Sequence, residues 1–189
     1  MKNFYARKEV DLKTMMTLAA LLLAGSAVAK ADDASSGSVP TTVRSLAGCW
    51  RGEGTVLRKP VTVTLTIRTI LLDSMIAVDV DSSAKADAAD RYQAHLLFGG
   101  DELAADKGRN AISSFWADSF GGGFTATGKG RAHGNGFDVE YRYPDRRYVN
   151  QWSREGDHLT WRIISVSGEK ISKLFADYAL TRVVCDGTR

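Results

Sequence analysis

Apolar and polar residues alternate along most of this chain. Val61, Val63, Leu65 and Ile67 take every second position against Thr62, Thr64, Thr66 and Arg68. Ile76, Val78 and Val80 do the same against Ala77, Asp79 and Asp81. A period of two sends successive side chains to opposite faces, so each run predicts a strand with one apolar face. The same reasoning predicts strands at Leu46–Gly54, Tyr92–Phe98, Asn110–Trp116, Phe124–Lys129, Phe137–Tyr143, Tyr148–Arg154, His158–Ser165 and Tyr178–Val184. Turn signals separate them: Leu72-Asp73-Ser74, Gly99-Gly100-Asp101, Gly121-Gly122-Gly123, Gly134-Asn135-Gly136, Pro144-Asp145 and Glu155-Gly156-Asp157. Asp101–Lys107 reads as a turn of helix ended by Gly108, and the stretch from Ser167 to Asp177 is ambiguous, with a turn of helix as one reading. Roughly ten short antiparallel strands, recurring every 8–12 residues or so, make an all-β sandwich or barrel.

The first thirty residues break this rhythm. A basic segment runs to Lys13, an apolar segment covers Met15–Ala24, and small residues follow. That order is a secretory signal peptide over residues 1–31, with cleavage after Ala29 or Ala31. Read instead as an anchor, the apolar run falls short of the ~20 residues that span a bilayer. The expectation is therefore an exported protein, periplasmic or secreted, with no membrane span after cleavage. Residues 32–43 are small and polar, with Pro40, and read as a flexible leader to a domain over 44–189. Leu46-Ala47-Gly48-Cys49 also spells a lipidation motif, but the polar residues and Arg44 before it separate it from the apolar segment.

Export changes what the cysteines mean. There are two, Cys49 at the first strand and Cys185 after the last. In an oxidising compartment such a pair forms a disulfide. A bond between them needs Cα atoms within about 7 Å, which places the first and last strands side by side and favours an up-and-down barrel over a sandwich.

Charge changes the picture less. The chain carries +3, but residues 1–31 hold five of its 25 basic and two of its 22 acidic residues, leaving 20 of each. With no basic patch in the remainder, nucleic acid is not an expected partner.

The opening Leu46–Gly54, with Gly48-x-Trp50 followed by Gly52 and Gly54, resembles the first strand of the calycin superfamily, the lipocalin-like barrels. It looks most similar to nitrobindin-type barrels and to an exported lipocalin-like family of unknown function. The resemblance extends through Phe115–Ser119 and the Gly128/Gly130 strand to Tyr178–Arg182, most of the expected domain. It implies that Trp50 plugs the closed end of the barrel and that Arg182 lies across it as a cation–π partner. Gly52 and Gly54 would clear one inner wall, either for a ligand or for the coiling of the barrel itself. Nitrobindins hold haem through a histidine on a late strand, whereas His95, His133 and His158 all lie outside the closing strand. Tyr178 is the only axial candidate there, and haem is not expected.

Other chemistry finds little support. The histidines are too dispersed for a metal site, and His95, among apolar residues, reads as a wall residue. No serine stands in a nucleophile elbow, and Gly121–Gly123 lacks the helix and lysine of a phosphate loop. No catalytic residue is assigned. Strand phase turns Tyr141, Trp152 and Trp161 inward, where with Gly52 and Gly54 they would line a cavity for a small apolar or amphipathic ligand. Asp138, Glu140 and Arg142 fall on the opposite phase, which favours binding over catalysis. Two alternatives stay open: a filled barrel serving as an interaction domain, and an isomerase- or cyclase-type enzyme on the same barrel.

Overall fold

The computed structural model describes residues 39–101, 110–168 and 171–185. The expected signal peptide, the first part of the leader and most of the turn of helix expected at Asp101–Lys107 lie outside the described residues. Ten antiparallel strands follow in chain order: β1 (Gly48–Val56), β2 (Lys59–Ile70), β3 (Met75–Ala84), β4 (Asp87–Gly100), β5 (Ala111–Asp118), β6 (Ala126–His133), β7 (Gly136–Arg142), β8 (Arg147–Glu155), β9 (His158–Ser167) and β10 (Ile171–Val183). Each pairs with the next, and β10 returns to pair with β1, so the sheet closes into an up-and-down barrel. Closure removes the exposed strand edges that an open sheet would present.

The closing seam sets Cys49 opposite Val183, Trp50 opposite Arg182, Gly52 opposite Leu180 and Gly54 opposite Tyr178. Cys49 and Cys185 are joined by a disulfide with Cα atoms 5.2 Å apart. The stretch after Ser167 is strand from Ile171, not a turn of helix. Its pairing with β9 shifts register between Leu174 and Ala176, a bulge that interrupts the period of two.

One end of the barrel is sealed. Within the segment expected as a flexible leader, Val39 and Val43 are buried, and a single helical turn, α1 (Thr41–Arg44), carries Val43 onto the core. Basic side chains fasten the turn by its carbonyls. Arg154 donates to Ser45 O at 3.0 Å and Arg182 to Ala47 O at 2.8 Å, while the turn's own Arg44 reaches out to Asp73 O, between β2 and β3, at 3.0 Å. Trp50 is buried there, its Nε1 donating to Leu46 O at 2.8 Å, and the Arg182 guanidinium lies 4.2 Å from the centre of its ring.

Above that seal, inward residues fill the barrel with rings. Phe137, Trp152, Trp161 and Tyr178, on four successive strands, stack in a ladder with centroids 5.8, 4.4 and 4.7 Å apart. Each step is a directly opposed cross-strand pair, worth about 0.5–1.5 kcal/mol beyond the area buried. The Trp152 indole nitrogen has no hydrogen-bond partner among the described residues; the ring is packed between Phe137 and Trp161 and meets Phe98 edge to face at 6.0 Å.

Candidate functional site

The filled core stops short of the opposite end. There the strands surround a cavity of about 460 Å³ whose lining is predominantly aromatic. Strand phase supplies part of it. Trp116 and Asp118 lie at the end of β5 and Tyr141 at the end of β7; Tyr148 and Asn150 open β8. Tyr92 enters from β4, in phase with the buried Ala94, Leu96 and Phe98. Connections supply the rest. The loop after β5 contributes Phe120 and Phe124, the latter closing a 3₁₀ turn (Gly122–Phe124), and the β10 bulge turns Phe175 toward the mouth.

These rings hold one another edge to face. Trp116 meets Tyr141 at 5.4 Å, Tyr143 meets Tyr148 at 5.7 Å, and Tyr148 meets Phe175 at 5.1 Å. On the loop, Phe120 contacts Tyr92 at 5.6 Å and Phe124 at 5.8 Å. The Tyr143 hydroxyl donates to Phe124 O at 2.9 Å, pinning the loop over the cavity rim. Gly128 on β6 makes Tyr141's position available, since a Cβ there would lie 2.7 Å from the tyrosine ring.

Polar groups are few and placed. Asp118 Oδ2 accepts from the Tyr92 hydroxyl at 3.1 Å and from Trp116 Nε1 at 3.0 Å, while Oδ1 accepts the Phe120 amide at 3.0 Å. Deeper in, Tyr141 OH and Ser114 Oγ share a hydrogen bond of 2.5 Å, and Asn150 Oδ1 accepts from Trp161 Nε1 at 2.8 Å. At the rim Asp145 pairs with Arg146. Burial, and after it the charge of Asp118, pushes the Tyr92 hydroxyl far above the ordinary tyrosine range. Burial likewise raises Tyr141, a rise that the Ser114 hydrogen bond partly offsets. The cavity therefore sets neutral hydroxyls and the Asp118 carboxylate against aromatic walls, with the Asp145–Arg146 pair at its rim.

Of the five residues that the sequence suggested for ligand contact, only Tyr141 lines this cavity. Trp152 and Trp161 lie in the ladder beneath it, each 1% exposed. At Gly52 the space is taken by β10: a Cβ would stand 2.0 Å from Ala179 O and 2.7 Å from Leu180 Cα. At Gly54 it would meet Asp177 O at 2.2 Å. Both glycines let two backbones approach. Tyr178 stacks on Trp161 in the ladder, and burial raises its hydroxyl above the usual range. His95 points outward, half-exposed, with Nδ1 2.6 Å from Asp79 on the outer face. Among the described residues no group of three His, Cys, Asp or Glu side chains could hold a metal ion.

Asp118 is the residue that sequence reasoning missed. It continues the inward phase of Ser114 and Trp116 one step past the strand end first predicted, and that phase was the available signal.

No family model and no curated protein sequence matches the chain. Solved structures do. Rv2717c from M. tuberculosis superposes with a TM-score of 0.57 at 12% identity, covering 77% of this chain and 99% of that one. The S-type phycobiliprotein lyase CPES from Guillardia theta superposes with a TM-score of 0.54 at 12% identity, covering 77% and 93%. Identity at this level speaks for the fold alone. With its ten-stranded closed barrel, the chain has a lipocalin-like fold, shared with both of these structures.

Proposed function

We propose that this protein is an exported lipocalin-like carrier that holds a small amphipathic molecule in the aromatic cup at the open end of its barrel. The cavity carries the reading: about 460 Å³, walled by rings, with a few convergent polar groups. Its volume falls within the ~300–1,000 Å³ typical of small-molecule sites. Export is supported by the signal-like first 31 residues and by the Cys49–Cys185 bond. Among the described residues no helix is long and apolar enough to cross a membrane. The filled-barrel alternative describes the closed half, where Trp50 and the ring ladder leave no room, but not the open half.

One observation speaks for the enzyme alternative: a carboxylate, Asp118, and a tyrosine hydroxyl, Tyr92, share the cavity wall. General acid–base work needs a group that exchanges its proton near the working pH, and Tyr92 is pushed away from that range. The pair serves better as a fixed hydrogen-bonding anchor, so binding is the conclusion. The lyase activity in the Guillardia theta protein's name stays with that protein, because function resides in the site and not in the fold.

The test is a fluorescence titration with dansylamide, a neutral apolar probe, followed through probe emission and tryptophan quenching. Binding in the micromolar range is expected. Tyr148→Ala, at the rim, should weaken it several-fold. Trp152→Ala, in the ladder, should mainly destabilise the fold, by about 3–5 kcal/mol. No binding at any concentration up to the solubility limit would refute the carrier reading.

A further inference from the structure

The cavity has one uncompensated charge. Among its lining residues Asp145 and Arg146 neutralise each other at 2.5 Å, and among the described residues the Asp118 carboxylate has only neutral partners: a hydroxyl, an indole N–H and a backbone amide. A carboxylate presents about four lone-pair sites, and these three donors leave room for another. The donors also fix its orientation, so its charge is aimed before any ligand arrives. Around it stand Tyr92, Trp116, Phe120 and Tyr143, whose ring faces carry negative quadrupole potential. Tyr143 feels the carboxylate directly, since after burial the charge of Asp118 is the main cause raising its hydroxyl. Tyr92 and Trp116 turn their polar edges to the carboxylate, so a cation seated beside it in this aromatic-lined cavity gains the ion pair first and ring contacts second, while an anion is repelled.

We propose that the ligand of this cup carries a positively charged nitrogen, an ammonium or quaternary ammonium head, seated between Asp118 and the surrounding rings with its apolar body along the Tyr148–Phe175 wall. This rests on the carrier reading and narrows it. Fatty acids and other carboxylate-headed amphiphiles are disfavoured by the same arrangement.

The experiment compares three probes that share one fluorophore and differ in charge: the trimethylammonium derivative of dansylamidoethane, neutral dansylamide and anionic dansylglycine. The cation should bind about tenfold more tightly than the neutral probe, on the scale of a partly desolvated cation–π contact, and the anion more weakly than either. Asp118→Asn should lower the cation-to-neutral ratio several-fold, leaving only the part that the rings supply, and an unchanged ratio would overturn the role given to the carboxylate. If that variant does not fold, a salt titration of the unaltered protein replaces it: the cation's advantage should shrink as ionic strength rises, because a charge that is not fully buried is partly screened. Equal affinity for cation and neutral probe, or preference for the anion, with dansylamide still bound, would overturn the cation assignment and leave the carrier reading intact. Failure of all three probes to bind would overturn both.

Discussion

Replacing Gly52 by alanine separates two roles that one glycine pattern signals equally well. An added Cβ would lie 2.0 Å from Ala179 O, 2.9 Å from Ala179 C and 2.7 Å from Leu180 Cα, all backbone of β10. Backbone cannot rotate aside as a side chain can, so β10 would have to move away from β1 by well over an ångström. The seam cannot open freely, because the Cys49–Cys185 bond ties it at one end. Forcing a methyl into such a contact costs about 1–3 kcal/mol. Alanine recovers only about 0.4–1 kcal/mol by restricting the unfolded chain, so clash wins, with a net loss of about 1–2 kcal/mol. For a domain of this size that lowers Tm by about 3–6 °C. The control is Gly122→Ala, where a Cβ meets nothing within 4 Å and the change should stay within about 0.5 kcal/mol. Urea and thermal unfolding of both variants, with the disulfide intact, provide the comparison. If Gly52→Ala melts no lower than Gly122→Ala but weakens dansylamide binding, Gly52 clears space for a ligand and the close-approach argument is refuted.

Two further outcomes follow from the closure and the buried rings. The disulfide spans 136 residues, for which loop-closure entropy gives about 5 kcal/mol at 25 °C; reduction should lower the unfolding free energy by several kcal/mol in urea, and a loss below about 1 kcal/mol would refute this account. Burial raises the folded-state values of Tyr92, Tyr141 and Tyr178 above the ordinary ~10. Their contribution to stability is therefore fully present below pH ~10 and is lost as the pH rises toward the folded values, because the unfolded chain gives up those protons first. Followed by phenolate absorbance on the cleaved protein, which keeps five tyrosines, these three should ionise only together with alkaline unfolding; early titration of all five in the folded protein would contradict their burial.

The strands were legible wherever one face is wet and the other dry. β2 shows this well: Val61, Val63, Leu65 and Ile67 are buried while Thr62, Thr64 and Arg68 are exposed. The period failed in two places, for different reasons. β4 starts well before its inward residues, where Asp87–Arg91 is exposed throughout and no apolar face exists to announce a strand. In β10 the bulge at Phe175 puts Leu174, Phe175 and Ala176 in succession, with Leu174 48% exposed and Ala176 buried, which imitates a helix edge. A single extra residue was enough to hide half the strand.

The site was legible in one dimension only. Phase tells which way a side chain points, and it turned Tyr141, Trp152 and Trp161 inward, where they lie. It does not tell how far along the barrel axis each one sits. That depth is set by pairing register: Trp152 stands opposite Trp161 and Phe137 in the filled layer, whereas Tyr141 stands opposite Tyr148 at the mouth. Register depends on every turn length around the barrel, which no single strand encodes. The cup's remaining rings escape phase altogether, since Phe120 and Phe124 sit on a loop and Phe175 on a bulge. The division of labour follows from this geometry. At the closed end, paired rings on adjacent strands satisfy one another and leave nothing for a ligand. At the open end the rings come from loops and strand ends, which approach from one side only, so they and the Asp118 carboxylate border a space that the described residues do not fill.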